Sequence, residues 1–181
     1  MTREKNIGLS LPMPKTKQQQ ESLAWYIEKH YEKVTVQGLR CDSEACGGLP
    51  ANRERSFRIV GGPEVLVIQL MRMRFDEKTF RFKKVTDRVD YPERLDLSPC
   101  SEGPLAYQLK GVVAHSGKTL QRGHYVAMVK PQVGNGFVHC NDETIDDKST
   151  KEQILSLAES NVCQSYLLVY QKIGGRMANC I

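Results

Sequence analysis

The chain reads as an α+β domain, mainly antiparallel β, with one helix before the sheet and a second before the last strand. Three observations predict this. Apolar, β-rich segments recur at "PEVLVIQLMRMRF" (63–75), "YQLKGVVAHSG" (107–117), "HYVAMVK" (124–130), "GFVHCND" (136–142) and "QSYLLVYQKI" (164–173). Glycine-rich turns join the later ones, and only two short stretches carry helical spacing.

In chain order, residues 6–20 are expected to be an extended lead-in, because Pro12 and Pro14 disfavour helix, followed by a polar Gln run. "ESLAWYIEKHYEKV" (21–34) places Leu23, Ile27 and Tyr31 four residues apart with charges between them, the pattern of a short helix that buries one stripe. "VTVQGLRCDSEACGG" (34–48) predicts a strand, a glycine and a cysteine-bearing turn, and "RSFRIV" (55–60) the return strand. The 63–75 run is too apolar for an edge or a loop. Residues 79–89 form a basic hairpin arm, and "YPERLDLSP" (91–99) breaks regular structure at both prolines. Three strands over 107–142 follow, then a helix at "TKEQILSLAES" (150–160) with Ser149 or Thr150 as N-cap, the last strand, and a flexible tail at 174–181. No repeat and no dividing linker occurs, so a single domain over 1–173 is expected.

Composition narrows the class. The 181 residues are 40% hydrophobic and 26% charged, enough for one globular core. The first twenty residues hold no apolar run of signal-peptide length, and nowhere do about 18 uninterrupted apolar residues occur, so a cytoplasmic or nuclear protein with no membrane segment is expected. In such a compartment the six cysteines are thiols or metal ligands rather than disulfides. The net charge of +5 is densest at "MRMRFDEKTFRFKKVTDR" (71–88). Interleaved basic and aromatic residues there fit nucleic acid, but alternation also fits a solvated hairpin, which is the favoured reading.

The chemistry centres on His124. Gly123 before it permits close backbone approach, and the alternation that follows places the imidazole at the mouth of a strand, where a structural or a catalytic role is open. If strands 124–130 and 137–141 pair about a turn centred between Gln132 and Val133, Asn141 faces His124 directly. Its amide oxygen can then accept from one ring nitrogen and leave the other free as a base. Asp142 points to the other face in regular geometry, and a bulge could bring it in. Cys41 and Cys46, with Gly47 and Gly48 following, have the spacing of half a zinc site; a redox pair or buried thiols are the alternatives.

Taken together and in order, these segments resemble the ubiquitin-specific protease family of cysteine deubiquitinases. "IGLSLPMP" resembles that family's Leu-Ser-Leu-Pro opening, "ESLAWYIEKHYEKVTVQG" its first helix here, and "LRCDSEAC" its second cysteine knuckle. "PEVLVIQLMRMRFD" resembles its "P-x-V-L-x-I-x-L-K-R-F-x-Y-D" strand, with Met71 and Met73 where Lys and Phe are usual. "VDYPERLDL", "YQLKGVVAHSGKTLQRGHYVAMVK", "GFVHCNDETI" and "SYLLVYQK" resemble the histidine and asparagine boxes and the final strand.

The resemblance implies a papain-like cysteine peptidase fold: fingers and palm strands over 34–75, and a palm carrying the His and Asn boxes over 105–173. It implies His124 as general base, Asn141 as its orienting partner and Asp142 as assistant. Gly123 and Tyr125 would flank the cleft for the Gly-Gly tail of ubiquitin, and His115 would shape the site. Cys41 and Cys46 would be one zinc-knuckle pair, an incomplete structural site, with no cofactor needed for catalysis. The family's "N-x-G-N-T-C" nucleophile box and its helical thumb belong upstream of residue 1, and no such stretch occurs in these residues. The expectation is therefore the C-terminal portion of a deubiquitinase domain, not hydrolytic alone. Its partners would be ubiquitin or a ubiquitinated protein, and a missing half acting in trans. A non-catalytic ubiquitin-binding or scaffold module is the rival, and a nucleic-acid binder a weaker one.

Overall fold

A computed structural model describes residues 6, 8–14, 20–40, 45, 47, 50–119, 122–134, 136–147, 150, 152 and 163–174. Among them one α-helix and a 3-10 turn, Ser98–Cys100, accompany fourteen strands, most of them antiparallel. The predicted helix over 150–160 falls almost wholly outside the described residues, and the tail beyond Gly174 falls wholly outside them.

The lead-in becomes a strand, β1 (Gly8–Pro12), which pairs in parallel with β5 (Val65–Met71). Gln20–Ser22 forms a short β2, and Ser22 then caps helix α1 (Leu23–Tyr31), its hydroxyl accepting from the Trp25 amide at 3.1 Å. The helix buries Leu23, Tyr26 and Ile27 in the same apolar core as Leu11 and Met13. Tyr31, on the expected stripe, is only half buried.

β3 (Val34–Arg40) pairs with β4 (Pro50–Arg55), so the return strand precedes the "RSFRIV" stretch expected for it. The reason is physical: this ribbon stands apart from the main sheet as a two-stranded unit, and its described side chains are largely exposed, so apolar content did not mark it. Ile59 instead makes an isolated bridge to Ser101. The 63–75 run is also not one strand. β5 ends at Met71, Arg72 breaks the ladder, and β6 (Met73–Asp76) forms a separate hairpin with β7 (Arg81–Lys84), which is the expected basic arm. β8 (Arg88–Asp90) pairs with β2. Between the two prolines of "YPERLDLSP" a three-residue strand, β9 (Arg94–Asp96), survives because β10 supplies a partner.

The main sheet runs β1-β5-β14-β10-β11-β12-β13, with β9 also on β10. Its spine is the fourteen-residue β10 (Ala106–Thr119), between β11 (Arg122–Val129) and β14 (Cys163–Lys172). β12 (Val138–Asn141) and β13 (Thr144–Asp146) close the edge as a tight hairpin that the sequence did not suggest. Two register shifts along β10 and β14, between Leu109 and Gly111 and between Val113 and Ala114, change which side chains face inward. Tyr107 and Leu109 are buried before the first shift, Val112 and Ala114 after it.

At the break between β5 and β6 the Arg72 side chain is fully buried. Its Nε donates to the Ser165 carbonyl at 2.5 Å, Nη1 to the carbonyls of Val85 (3.1 Å) and Asp87 (2.7 Å), and Nη2 to Ser165 Oγ at 3.3 Å. One guanidinium thus ties the end of β5, the stretch after β7 and the start of β14. Arg72→Met keeps the length but strands these acceptors in the interior, so the unfolding free energy should fall by about 3 kcal/mol. The check is a urea titration; an unchanged midpoint would show that the guanidinium is dispensable.

Candidate active site

The described ladder pairs Ala127 with Cys140, Met128 with His139 and Val129 with Val138. The turn is therefore centred between Val133 and Gly134, one position later than expected, and Asn141 falls opposite Val126 rather than His124. The shift is two residues in pairing sum, which preserves the face. His124 and Asn141 are diagonal neighbours on one side of the sheet, and at that spacing polar side chains still meet. The His124 Nε2 lies 2.5 Å from Asn141 Oδ1. The expected contact is present, by a diagonal route rather than a direct one.

Asp142 arrives without a bulge. It is the first residue of the two-residue turn joining β12 to β13, and its φ of 50° swings its carboxylate back to the same nitrogen, with Oδ2 3.8 Å from His124 Nε2. Left-handed backbone at a non-glycine residue is uncommon, and Asp is among the types that tolerate it. Two acceptors therefore address Nε2. With its proton on Nε2, a neutral imidazole has Nδ1 as its free basic nitrogen. His124 is 45% and Asp142 77% exposed in the side chain, so this pair stands at an open edge.

The other predicted residues share the end of β11 but occupy its opposite face. Tyr125 pairs with His115, and their rings are 4.7 Å apart; Tyr125 also sits 6.0 Å from the Tyr166 ring. His115 is buried, and a Cβ at Gly123 would lie 2.3 Å from its Nε2 and 2.3 Å from the Ser116 carbonyl oxygen. Gly123 is thus needed because the imidazole edge rests on its backbone. Alternation along Gly123-His124-Tyr125 turns the His124 imidazole to one side and the Tyr125 ring to the other.

Sequence reading missed Lys84. Its ammonium bonds to His115 Nδ1 (2.9 Å), the His115 carbonyl (3.0 Å) and the Gly117 carbonyl (2.8 Å). Burial first, then the Arg72 charge, lowers the Lys84 pKa, and burial followed by the Lys84 charge lowers that of His115. In "RFKK" nothing but alternation is visible, so no local signal distinguishes Lys84 from its solvated neighbours.

Cys140 pairs with Ala127 and therefore faces away from His124. Cys100 lies far along the chain in an open pocket with Glu28, Tyr31 and Arg58, and burial, then Glu28, raises its thiol pKa. Cys41 and Cys46 lie outside the described residues, and among the described residues no group of three or more His, Cys, Asp or Glu side chains is placed to hold a metal. No helix among them is long and apolar enough to cross a membrane.

Two outcomes follow from this geometry. Gly123→Ala forces a methyl group into the Ser116 carbonyl and the His115 ring, and should cost about 2–3 kcal/mol of stability, measured by chemical unfolding. Stability should also fall with acid. The folded pKa of His115 lies below its ordinary 6.5, so below pH 6.5 the unfolded chain binds a proton the folded chain refuses. The contribution is full above 6.5 and is lost as pH drops from there through the folded value, with His30, lowered by burial, acting in the same sense. Urea midpoints at roughly pH 7.5 and roughly pH 5.5 should converge in part in His115→Gln; an unaltered pH dependence would count against it.

A family model described as ubiquitin carboxyl-terminal hydrolase matches residues 8–170. Ubiquitin carboxyl-terminal hydrolase 48 of Rattus norvegicus is 34% identical over 111 residues, covering 60% of this chain and 11% of that protein. Ubiquitin carboxyl-terminal hydrolase 4 of Arabidopsis thaliana is 32% identical over 143 residues, 75% of this chain and 38% of that one. Among solved structures, the Ubp8 module of SAGA bound to monoubiquitin superposes with a TM-score of 0.74 at 23% identity, over 93% of this chain and 35% of its own. The fold is therefore that of part of such a domain, and this chain spans about a tenth to two fifths of the length of these two curated relatives. With the family model matching nearly its whole length, the chain belongs to the ubiquitin carboxyl-terminal hydrolase family.

Proposed function

We propose that these residues supply the base half of a cysteine-type deubiquitinase site, which cleaves the isopeptide bond after the last glycine of ubiquitin. One observation carries the reading: His124 Nε2 is held at 2.5 Å by Asn141 Oδ1, with Asp142 behind it, so Nδ1 is the nitrogen available to a thiol. His124 takes the thiol proton, the thiolate attacks the carbonyl carbon of the terminal glycine, and the imidazolium returns the proton to the departing lysine amine. Water, deprotonated by the same nitrogen, then releases ubiquitin from the thioester. Asn141 fixes the tautomer throughout, and the Asp142 carboxylate stands 3.8 Å from the same nitrogen. Tyr125, half exposed beside Gly123, offers a wall for the narrow Gly-Gly tail.

The thiol comes from outside these residues, in a preceding segment or a second polypeptide. Support lies in Cys140 facing away from the base, Cys163 being buried, and the raised pKa of Cys100. The small share of each relative's length covered by the match supports a part of a larger catalytic unit.

The test is reaction with ubiquitin carrying a thiol-reactive C-terminal electrophile, read by intact mass. The chain alone should give no adduct. Co-expression with a relative's segment bearing the Asn-x-Gly-Asn-Thr-Cys box should restore one, and His124→Ala should then slow it by about 10²-fold or more. An adduct on the isolated chain that His124→Ala abolishes would place the nucleophile within these residues. Saturable ubiquitin binding with no adduct in either setting would instead mark a non-catalytic binding module.

A further inference from the structure

We propose that Lys84 is a positioning residue for His124, acting through His115 and the adjoining Ser116–Gly117 stretch of β10. The proposal rests on the reading of His124 as the base, and the geometry behind it is independent of any reaction.

An ammonium has three protons and no acceptor capacity, and Lys84 faces three acceptors within 3.0 Å: His115 Nδ1, His115 O and Gly117 O. The two carbonyls bracket Ser116, which is the β10 residue directly opposite His124. Lys84 therefore pins the stretch of backbone against which His124 is registered. That stretch needs pinning, because the register of the hairpin slips between Ser116 and Thr119, and Gly117 sits at φ 154° beside the slip. Beyond the slip only Thr119 and Arg122 are paired among the described residues.

The third bond acts on the ring. Because the ammonium donates to Nδ1, a neutral His115 must carry its proton on Nε2, and its plane is set. The Nε2 edge of that ring is what lies against Gly123, the residue before His124. The series Lys84, His115, Gly123, His124 is thus a run of contacts in which each member leaves the next little freedom. Lys84 itself is anchored from behind, since Arg72 bonds the carbonyl of Val85, its neighbour in the chain. Lys84 touches neither the His124 ring nor Asn141 among the bonds described, so its influence on the base is indirect.

Arginine cannot substitute. Its donors are spread across a planar fork, whereas the three acceptors here converge on a single point.

The experiment is long-range nitrogen–proton correlation NMR of the histidine rings in the full 181-residue chain, assigned with His115→Gln and His124→Gln. In the wild type His115 should show a protonated Nε2 and an unprotonated Nδ1; the opposite tautomer would overturn the proposal without any variant being made. His124 should likewise show one tautomer, protonated at Nε2 toward Asn141. In Lys84→Met, held at a temperature where circular dichroism shows it folded, both signatures should give way to mixed tautomers, as Asn141→Ala should produce for His124 alone. Lys84→Arg should not restore them. A folded Lys84→Met with unchanged ring signals would reduce Lys84 to a purely structural role, and full restoration by arginine would show that charge rather than three-point bonding matters. Should the ubiquitin electrophile fail to react in every setting while these ring signals behave as expected, the catalytic reading falls and the linkage stands.

Discussion

The buried guanidinium of Arg72 is the constraint from which the rest of the architecture is organised. It interrupts the most apolar strand in the chain, and its bonds to Val85, Asp87 and Ser165 hold three separate segments at one point. A cation so placed is stabilising because backbone carbonyls surround it. The β6–β7 hairpin is tied beside this point, with Lys84 at its end bonded to β10.

From that point geometry passes outward to the edge of the sheet. Lys84 holds the His115–Gly117 stretch of β10, His115 rests on Gly123, and β11 begins with His124 displayed at the margin. A second, independent support comes from the opposite side, where the two-residue turn at Asp142 brings Asn141 and Asp142 to the same imidazole nitrogen. The His124 ring is thus held between the β10 spine and a tight hairpin, at a position open to solvent.

Charge is distributed to match. Burial and then the nearby Lys84 charge hold the His115 pKa below its ordinary value, while the carboxylate of Asp142 lies on the His124 side. Two histidines nine residues apart in sequence therefore have different surroundings, one a buried ring bonded to an ammonium and the other a partly exposed ring facing an amide oxygen and a carboxylate. The same arrangement separates the aromatic wall of Tyr125 and Tyr166 from the polar pair of His124 and Asn141 across a single strand.

Much of this was legible in the sequence. Alternation located β10, β11, β12 and β14, the helix at 23–31 followed from its stripe, and the residue types at 124, 141 and 142 were sufficient to propose a base with its orienting partners. Such features are local, and the side-chain periods of strands and helices write them directly into residue order. What tertiary structure decided were the quantities local order does not encode. The return strand of the β3–β4 ribbon had no apolar pattern because the ribbon stands apart from the main sheet. The pairing of β11 with β12 was displaced by two because loop geometry, not strand composition, sets register. Arg72 and Lys84 looked like two more cations in a basic stretch; their acceptors come from segments up to 93 residues away, and only folding brings those together.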